Sequence, residues 1–92
     1  TRVVEELRDD PTVIGLVGDA SSARVLEALP ALEDRDHDGA RAVVAISPTA
    51  TSVALAGRSA WLFRLSPDDR AASRAVADAL ALEGRRRAAI VY

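Results

Sequence analysis

The stretch Ala45-Ile46-Ser47-Pro48-Thr49-Ala50-Thr51 decides the fold, because it joins the end of an apolar run to a turn of small hydroxyl residues. The run itself, Arg41–Ile46, predicts a buried strand, and the Ser-Pro pair ends it. Ligands of open α/β sheets bind where a buried strand ends and the chain turns. The hydroxyls and backbone groups of this turn therefore indicate a place that holds a small polar ligand.

A second stretch of the same kind lies upstream. Thr12–Val17 is a short apolar run that predicts another buried strand, and Gly18-Asp19-Ala20 makes a tight turn after it. Ser21 or Ser22 then caps a helix that continues to about Glu33. Two strand ends with small hydroxyl residues, in a chain without Cys, favour holding a ligand over transforming it.

The remaining segments extend the alternation of helices and strands. Strands that alternate with helices imply right-handed crossovers and a mainly parallel sheet. We therefore predict an α/β fold with a three-layer parallel sheet. In the last helix, Ser66 suits the N-cap, Pro67 suits N1 and Asp69 is a capping-box acid; the helix ends at Gly84. In the strand before it, Trp61 and Phe63 are predicted to lie in the core. The other predicted elements are a helix over Thr1–Asp10, helical turns over Ser52–Ala56, that strand over Ala60–Leu65, and a last strand over Ala88–Val91.

Length and composition limit the function. A chain of 92 residues can bury one modest core. Its net charge of −2 argues against nucleic acid as a partner, and the absence of Cys excludes disulfide and thiolate chemistry. It contains no signal peptide and no apolar run of membrane-spanning length. Because it starts at Thr1 and has no Met, we expect it to be a piece of a longer protein.

The loop Asp34–Gly39 contains D-x-D-x-D-G, which is how a calcium-binding loop opens. The position that should carry the bidentate Glu is Ala45, inside a predicted strand, so a solvated loop is the preferred interpretation. His37 is interpreted as a lone surface histidine, since no second His or Cys can join it in a metal site. We predict neither a metal site nor a cofactor.

Two further motifs admit a nucleotide or nucleic-acid interpretation. Gly15-x-x-Gly18 after a strand is part of a dinucleotide loop, but the third Gly is missing. Arg85-Arg86-Arg87 is basic but short, and a solvated turn at the negative end of a helix explains it better. An enzyme that uses the Gly18–Ser22 turn for a nucleotide is the weakest alternative, because no base or metal constellation accompanies it.

Taken together, the ordered segments resemble one family, the type 1 periplasmic binding proteins, in particular the leucine/isoleucine/valine-binding group of transporter receptors. The resemblance covers essentially all 92 residues. It implies a Rossmann-like half of a two-lobe fold, with residues 1–65 as the later part of the first lobe and residues 66–92 as the crossing segment and first helix and strand of the second. The segments that carry it are Asp10–Gly18, Ser21-Ser22, Leu29–Leu32, Ile46–Thr51, Leu62–Arg64 and Ala88–Tyr92.

The resemblance also implies a binding site for an amino acid. Ser22 matches the family's serine at the start of a helix, where its hydroxyl and the N–H groups of the helix end bind the carboxylate. Thr51 matches the threonine of the Ser-Pro-x-Ala-Thr turn and gives a hydroxyl and an N–H to the same carboxylate. The carbonyl of Thr49 or Ala50 accepts from the ammonium, and Ser21 is a secondary candidate. On spacing alone, these residues can also be helix caps: Ser21 or Ser22 for the helix that continues to about Glu33, and Thr51 for Ser52–Ala56.

The function that the resemblance implies is capture of an amino acid or similar small solute for an ABC importer, with no catalysis. The partners would be the ligand and, through the full-length protein, a membrane permease; the location would be extracytoplasmic. A ligand-sensing part of a signalling or regulatory protein with the same fold is the main alternative. A truncated sheet also exposes its edges, so a homo-oligomer or a swapped dimer stays open.

Overall fold

The computed structural model describes residues 1–92 as a mixed α/β chain. Its helices are α1 (Arg2–Asp9), α2 (Ser22–Leu32) and α3 (Asp69–Leu82), and its strands are β1 (Leu16–Val17), β2 (Ala45–Ser47) and β3 (Leu62–Arg64). Short 3₁₀ turns occupy Arg35–His37 and Val53–Leu55. None of the helices combines the length and the apolar character that crossing a membrane requires.

The strands form one open sheet in the order β1-β2-β3, and both strand pairs are parallel. Leu16, Ala45 and Leu62 are aligned across the sheet, and one residue further along, Ile46 pairs with Phe63. Parallel neighbours require a crossover between them, which α2 supplies from β1 to β2. The prediction of an α/β chain with a parallel sheet is therefore confirmed.

The core lies between one face of the sheet and the helices α1 and α2. The buried face of α2 presents apolar side chains at helical spacing to the sheet. The 3₁₀ turn contributes Leu55, which packs with Val25 and Ala50 in a second small cluster. The main cluster consists of Ala28, Leu29, Leu32, Val43 and Ala45, with Val4, Leu16, Leu26 and Leu62 packed against it.

The opposite face of the sheet carries no helix. Val17 is 81% exposed and Phe63 is 56% exposed on this face, and Trp61 is also exposed. The predicted core positions of Trp61 and Phe63 are therefore wrong, as is the third layer. The physical reason is that alternation along β3 identifies two faces of a strand, but only the face with Leu62 has helices to pack against.

Helix α3 extends away from the sheet and buries no residue. The molecule is accordingly long and narrow, with extents of 55 × 21 × 19 Å. The predicted strand over Ala88–Val91 is wrong, because this segment lies beyond α3 without a neighbouring strand and is fully exposed. The N-cap of α3 is Asp68 and not Ser66, because the Asp68 carboxylate accepts the N–H of Ala71 at 2.8 Å.

The strands are shorter than predicted. For β1, side-chain hydrogen bonds explain why it starts later than expected. The carboxylate of Asp10 accepts both the N–H and the hydroxyl of Thr12, at 2.8 and 2.7 Å. The resulting turn keeps the predicted start of β1 out of the sheet. β2 begins at Ala45 in place of Arg41 and includes Ser47, so the residue before Pro48 is still within the sheet.

Candidate functional site

The structure brings the two predicted strand ends together. The buried hydroxyl of Ser47 donates to the carbonyl of Asp19 at 2.6 Å and accepts the N–H of Ala50 at 3.3 Å. The hydroxyl of Thr49 donates to the carbonyl of Ala20 at 3.3 Å. These bonds fix the turn after β2 against the turn after β1. We call the residues Ser21, Ser22, Thr49, Ala50 and Thr51, which lie on these turns, the strand-end site.

The first turn of α2 has free backbone donors. Ser21 occupies the N-cap position with an extended backbone, but its side chain makes no capping hydrogen bond. The N–H groups of Ser22, Ala23 and Arg24 therefore have no acceptor within the protein. An uncapped helix start of this kind is satisfied by water or by an anion, and the positive end of the helix dipole favours the anion.

The hydroxyl of Ser22 joins α2 to the second turn. It accepts the N–H of Ser52 at 3.1 Å, which places the start of α2 beside Thr51. A serine hydroxyl that accepts a bond still has its own proton to donate. Ser22 therefore holds the site together and keeps one donor for a ligand. Sequence reasoning identified Ser22 but not Ser47 or Ser52, although Ser47 lies inside the stretch that decided the fold.

Thr51 is half-buried, and its hydroxyl and N–H have no partner within the protein. Its carbonyl accepts the N–H of Asp69 at 2.7 Å. Thr51 does not cap the following turn; Ser52 does so by accepting the N–H of Ala54 at 3.2 Å. Thr51 thus has two donors without a protein partner, and it directly precedes Ser52, whose N–H is bonded to Ser22 at the start of α2.

The carbonyls of Thr49 and Ala50, the two candidate acceptors for the ammonium of an amino-acid ligand, differ in their surroundings. Ala50 is buried, and its carbonyl accepts the hydroxyl of Ser66 at 3.4 Å. Thr49 is exposed, and its carbonyl has no partner within the protein. Of the two, the carbonyl of Thr49 is the accessible acceptor.

A second polar cluster, the interior cluster, consists of Arg8, Asp34, His37 and Arg41; the side chains of Arg8 and Asp34 are buried, and those of His37 and Arg41 are partly exposed. Asp34 is wholly buried and has a left-handed backbone, with φ of 51°. Its carboxylate lies 3.1 Å from Nη1 of Arg8 and 2.7 Å from Nδ1 of His37. It also accepts the N–H of Arg41 at 2.9 Å. Every polar atom of this carboxylate is paired, which is what a buried charge requires.

Burial raises the pKa of the Asp34 carboxyl, but its partners outweigh burial. The hydrogen bond from His37 and the N–H of Arg41 lower the pKa, and so does the positive charge of Arg8. The pKa of Asp34 therefore lies below its ordinary value, and the carboxylate is ionised in the folded protein.

The interior cluster corrects the prediction of a solvated loop over Asp34–Gly39. Only the middle of the loop is exposed, because Asp34 turns inward and His37 binds it. The Asp34 carboxylate is already occupied by cationic and N–H donors, so the loop does not present it to a calcium ion. The structure brings no three His, Asp or Glu side chains together as a metal site. Asp34 and His37 are close together in the sequence, so their contact could have been found from their spacing. Arg8 is separated from Asp34 by the whole of α2, and no local pattern indicates that pairing.

An apolar cavity of about 250 Å³ lies between α1, α2 and β1. Its lining is mainly apolar and includes Val4, Leu7, Leu16 and Ala28, together with the polar residue Asp19. None of the residues of the strand-end site lines this cavity. The cavity is therefore a separate feature of the molecule.

No family model, no curated protein and no solved structure matches this chain.

Proposed function

We propose that the chain is the ligand-binding part of an extracytoplasmic receptor that captures an amino acid or similar small polar solute for an ABC importer. In this proposal the chain is a Rossmann-like half of a type 1 periplasmic binding protein. Residues 1–65 belong to the first lobe, and residues 66–92 lead into the second. The ordered motifs support the proposal, and so do the parallel sheet and the meeting of two strand ends.

The observation that carries the proposal is the set of free donors at the strand-end site. The N–H groups of Ser22, Ala23 and Arg24 have no protein acceptor, and the N–H and hydroxyl of Thr51 have none either. The bond from Ser52 to Ser22 holds both sets next to each other. A carboxylate accepts several such bonds at once, and charge-assisted bonds are stronger than neutral ones.

The ligand would be bound without covalent chemistry. Its carboxylate would accept from the start of α2, from the Ser22 hydroxyl and from Thr51. Its ammonium would donate to the carbonyl of Thr49, which is accessible. A second lobe that closes over these groups would exclude water, and affinity would then be a shift of population toward the closed state. The importer's membrane permease would receive the ligand from that state.

Amide-resolved NMR titration of the 92-residue chain tests the site directly. Leucine and N-acetyl-leucine, which keep the carboxylate, should shift the amides of Ser22, Ala23, Arg24 and Thr51. Leucinamide, which lacks the carboxylate, should not shift them. If leucinamide acts like leucine, or if neither acid moves these amides, the proposed site is wrong.

Thr51→Ala provides the matched test of the second turn. It removes one hydroxyl donor, and the shifts caused by leucine should shrink along the whole of the site. Ser73→Ala, on the exposed surface of α3, removes a hydroxyl elsewhere and should leave the titration unchanged. Equal effects of the two variants would show that Thr51 does not bind the ligand.

A further inference from the structure

A cationic residue stands at the end of the third strand. Arg64 is the last residue of β3, and the parallel register places it beside Ser47, the last residue of β2. Side chains two residues apart on a strand share a face, and Leu62 packs against the core cluster that α2 covers. Arg64 therefore belongs to the same face of the sheet as α2, at the edge where the strands end.

One hydrogen bond fixes the guanidinium of Arg64 next to the strand-end site. Its Nη1 donates to the carbonyl of Ser52 at 2.7 Å. The N–H of the same residue, Ser52, donates to the hydroxyl of Ser22 at 3.1 Å. Two hydrogen bonds and the backbone of a single residue thus join the guanidinium to the start of α2. Given the dimensions of one residue, Nη1 of Arg64 lies within about 10 Å of the Ser22 hydroxyl.

The charge of Arg64 has no counter-charge within the protein. A guanidinium has five N–H donors, and the carbonyl of Ser52 is the one protein acceptor that Arg64 has. The residue is half-buried and takes part in no ion pair. Asp68 follows soon after it in the chain, but its carboxylate caps α3. A charge that is partly removed from water favours an opposite charge beside it.

The other arginine near the start of α2 has different surroundings. Arg24 is exposed, and it lines a small cavity together with Asp19 and Glu27. Acidic side chains are therefore close to Arg24. Arg64 is the cation of this region that lacks them, and it is the one bonded to the turn after β2.

We propose that Arg64 binds a second carboxylate of the ligand, so that the strand-end site selects an acidic amino acid such as glutamate. This inference rests on the proposed function, in which the start of α2 and Thr51 bind the first carboxylate. The side-chain carboxylate accepts from the free N–H groups of Arg64, whose planar fork can donate two parallel bonds to one carboxylate. Leucine and glutamine have no second negative charge and bind through the groups common to all amino acids.

Titration of the unmodified chain with leucine, glutamine and glutamate tests this selection without any substitution. Glutamate and glutamine have nearly the same shape and differ in charge. The affinities are obtained from the amide shifts of Ser22 and Thr51 at constant ionic strength. Glutamate should bind about tenfold more tightly than glutamine, because a charge-assisted bond replaces a neutral one.

The outcomes of this titration separate the two proposals. Amide shifts with all three ligands but equal affinities for glutamate and glutamine would overturn the role of Arg64 and leave the proposed function standing. No shift of these amides with any of the three ligands would overturn both.

Arg64→Gln removes the charge and keeps an N–H donor for the carbonyl of Ser52. Glutamate should lose about tenfold in affinity in this variant, while leucine should bind as before. Arg58→Gln, at an exposed position before β3, makes the same change of net charge and should leave the affinity for glutamate nearly unchanged. Equal losses in the two variants would show that overall charge decides, which contradicts the proposal.

Arg64→Lys separates ligand binding from a structural role of the bond to Ser52. Lysine keeps the charge but not the fork, so a preference for glutamate over glutamine should remain and should be smaller. No preference in this variant, with circular dichroism showing a folded chain, would contradict the proposal. Equal losses of leucine and glutamate affinity in Arg64→Gln would show that Arg64 only maintains the turn.

Discussion

The interior cluster and the strand-end site are both polar, but they are completed in opposite ways. In the interior cluster, the carboxylate of Asp34 is buried and is paired with Arg8, His37 and the N–H of Arg41. In the strand-end site, several N–H donors and the hydroxyl of Thr51 have no protein partner and lie near the surface. The first arrangement is satisfied within the chain, and the second is satisfied only by something that binds.

This difference separates groups that maintain the fold from groups that are available for function. Removing a buried and fully paired group such as the Asp34 carboxylate leaves its partners unsatisfied, so stability should fall. Removing a free donor leaves nothing unsatisfied, so stability should hold while binding is lost. Measurements of stability and of ligand binding in variants of both places therefore test this difference.

The largest effect should come from Asp34→Ala. The substitution leaves Arg8 without the buried carboxylate and Arg41 without an acceptor for its N–H, so Tm should fall by roughly 10 °C or more. Thermal unfolding followed by circular dichroism measures this. Asp36→Ala removes an exposed carboxylate from the same loop and should change Tm little. Similar shifts in the two variants would mean that the interior cluster does not hold the fold.

Acid should weaken the fold through the same carboxylate. The pKa of Asp34 is lower in the folded chain than its ordinary value of 3.8. The unfolded chain therefore takes up the proton first, so this contribution to stability is complete above that ordinary value and is lost as pH falls through the folded pKa. Denaturant unfolding between neutral pH and pH of about 3 should show it, with a shallower decline in Asp34→Asn. An equally steep decline in that variant would assign the acid sensitivity to other groups.

Ser47→Ala should have the next largest effect. The buried hydroxyl bonds to Asp19 and Ala50, so its loss leaves a carbonyl and an N–H unpaired and should cost about 1–3 kcal/mol. Urea unfolding measures the cost. Because the two strand-end turns are held together by these bonds, the NMR shifts caused by leucine should also weaken. In Ser73→Ala, which removes an exposed hydroxyl from α3, both effects should be much smaller.

Ser21→Asp should stabilise the chain and abolish binding. An aspartate at the N-cap would accept a free N–H of α2 and interact with the helix dipole, for a gain of about 0.5–1 kcal/mol. The same carboxylate would occupy the donors that a ligand needs. Ser21→Asn caps the helix without a charge and separates the two effects. Retained leucine binding in Ser21→Asp would show that the start of α2 is not the carboxylate site.

The smallest change in stability should come from Thr51→Ala. Its hydroxyl has no protein partner, so the free energy of unfolding should stay within about 0.5 kcal/mol of the original chain. Urea unfolding gives this value, and the titration of the same variant gives the loss of binding. A large loss of stability would show that the Thr51 hydroxyl maintains the fold and is not a free donor.

The sequence predicts the alternation of helices and parallel strands because that pattern is local. The stretch after Ile46 and the turn after Val17 were placed at strand ends, and the structure brings them together. The burial of Asp34 was not predictable in this way, since Arg8 reaches it from a different helix. The capping of α3 was also ambiguous, because Ser66 and Asp68 both have suitable side chains and only backbone geometry selects Asp68.

Other differences follow from partners that a sequence pattern does not supply. Alternation around Phe63 shows that it shares a face with Leu65, but not whether a helix covers that face. Ala88–Val91 has the composition of a strand, but a strand forms only beside another. The uncapped start of α2 was also not predictable. Ser21 is a suitable residue type for the N-cap, but residue type alone does not show that its side chain makes no capping bond.

The hydrogen bond from the N–H of Asp69 to the carbonyl of Thr51 couples the orientation of α3 to the turn after β2. Thr51 offers its own N–H and hydroxyl at that turn, while its carbonyl holds the first residue of a helix about 21 Å long. A rotation of α3 would act on the backbone angles of Thr51 through this bond. By reciprocity, a molecule that fixes Thr51 would also restrict the direction of the helix. The orientation of α3, followed by a fluorophore near Gly84, would then be a remote indicator of occupancy at the turn.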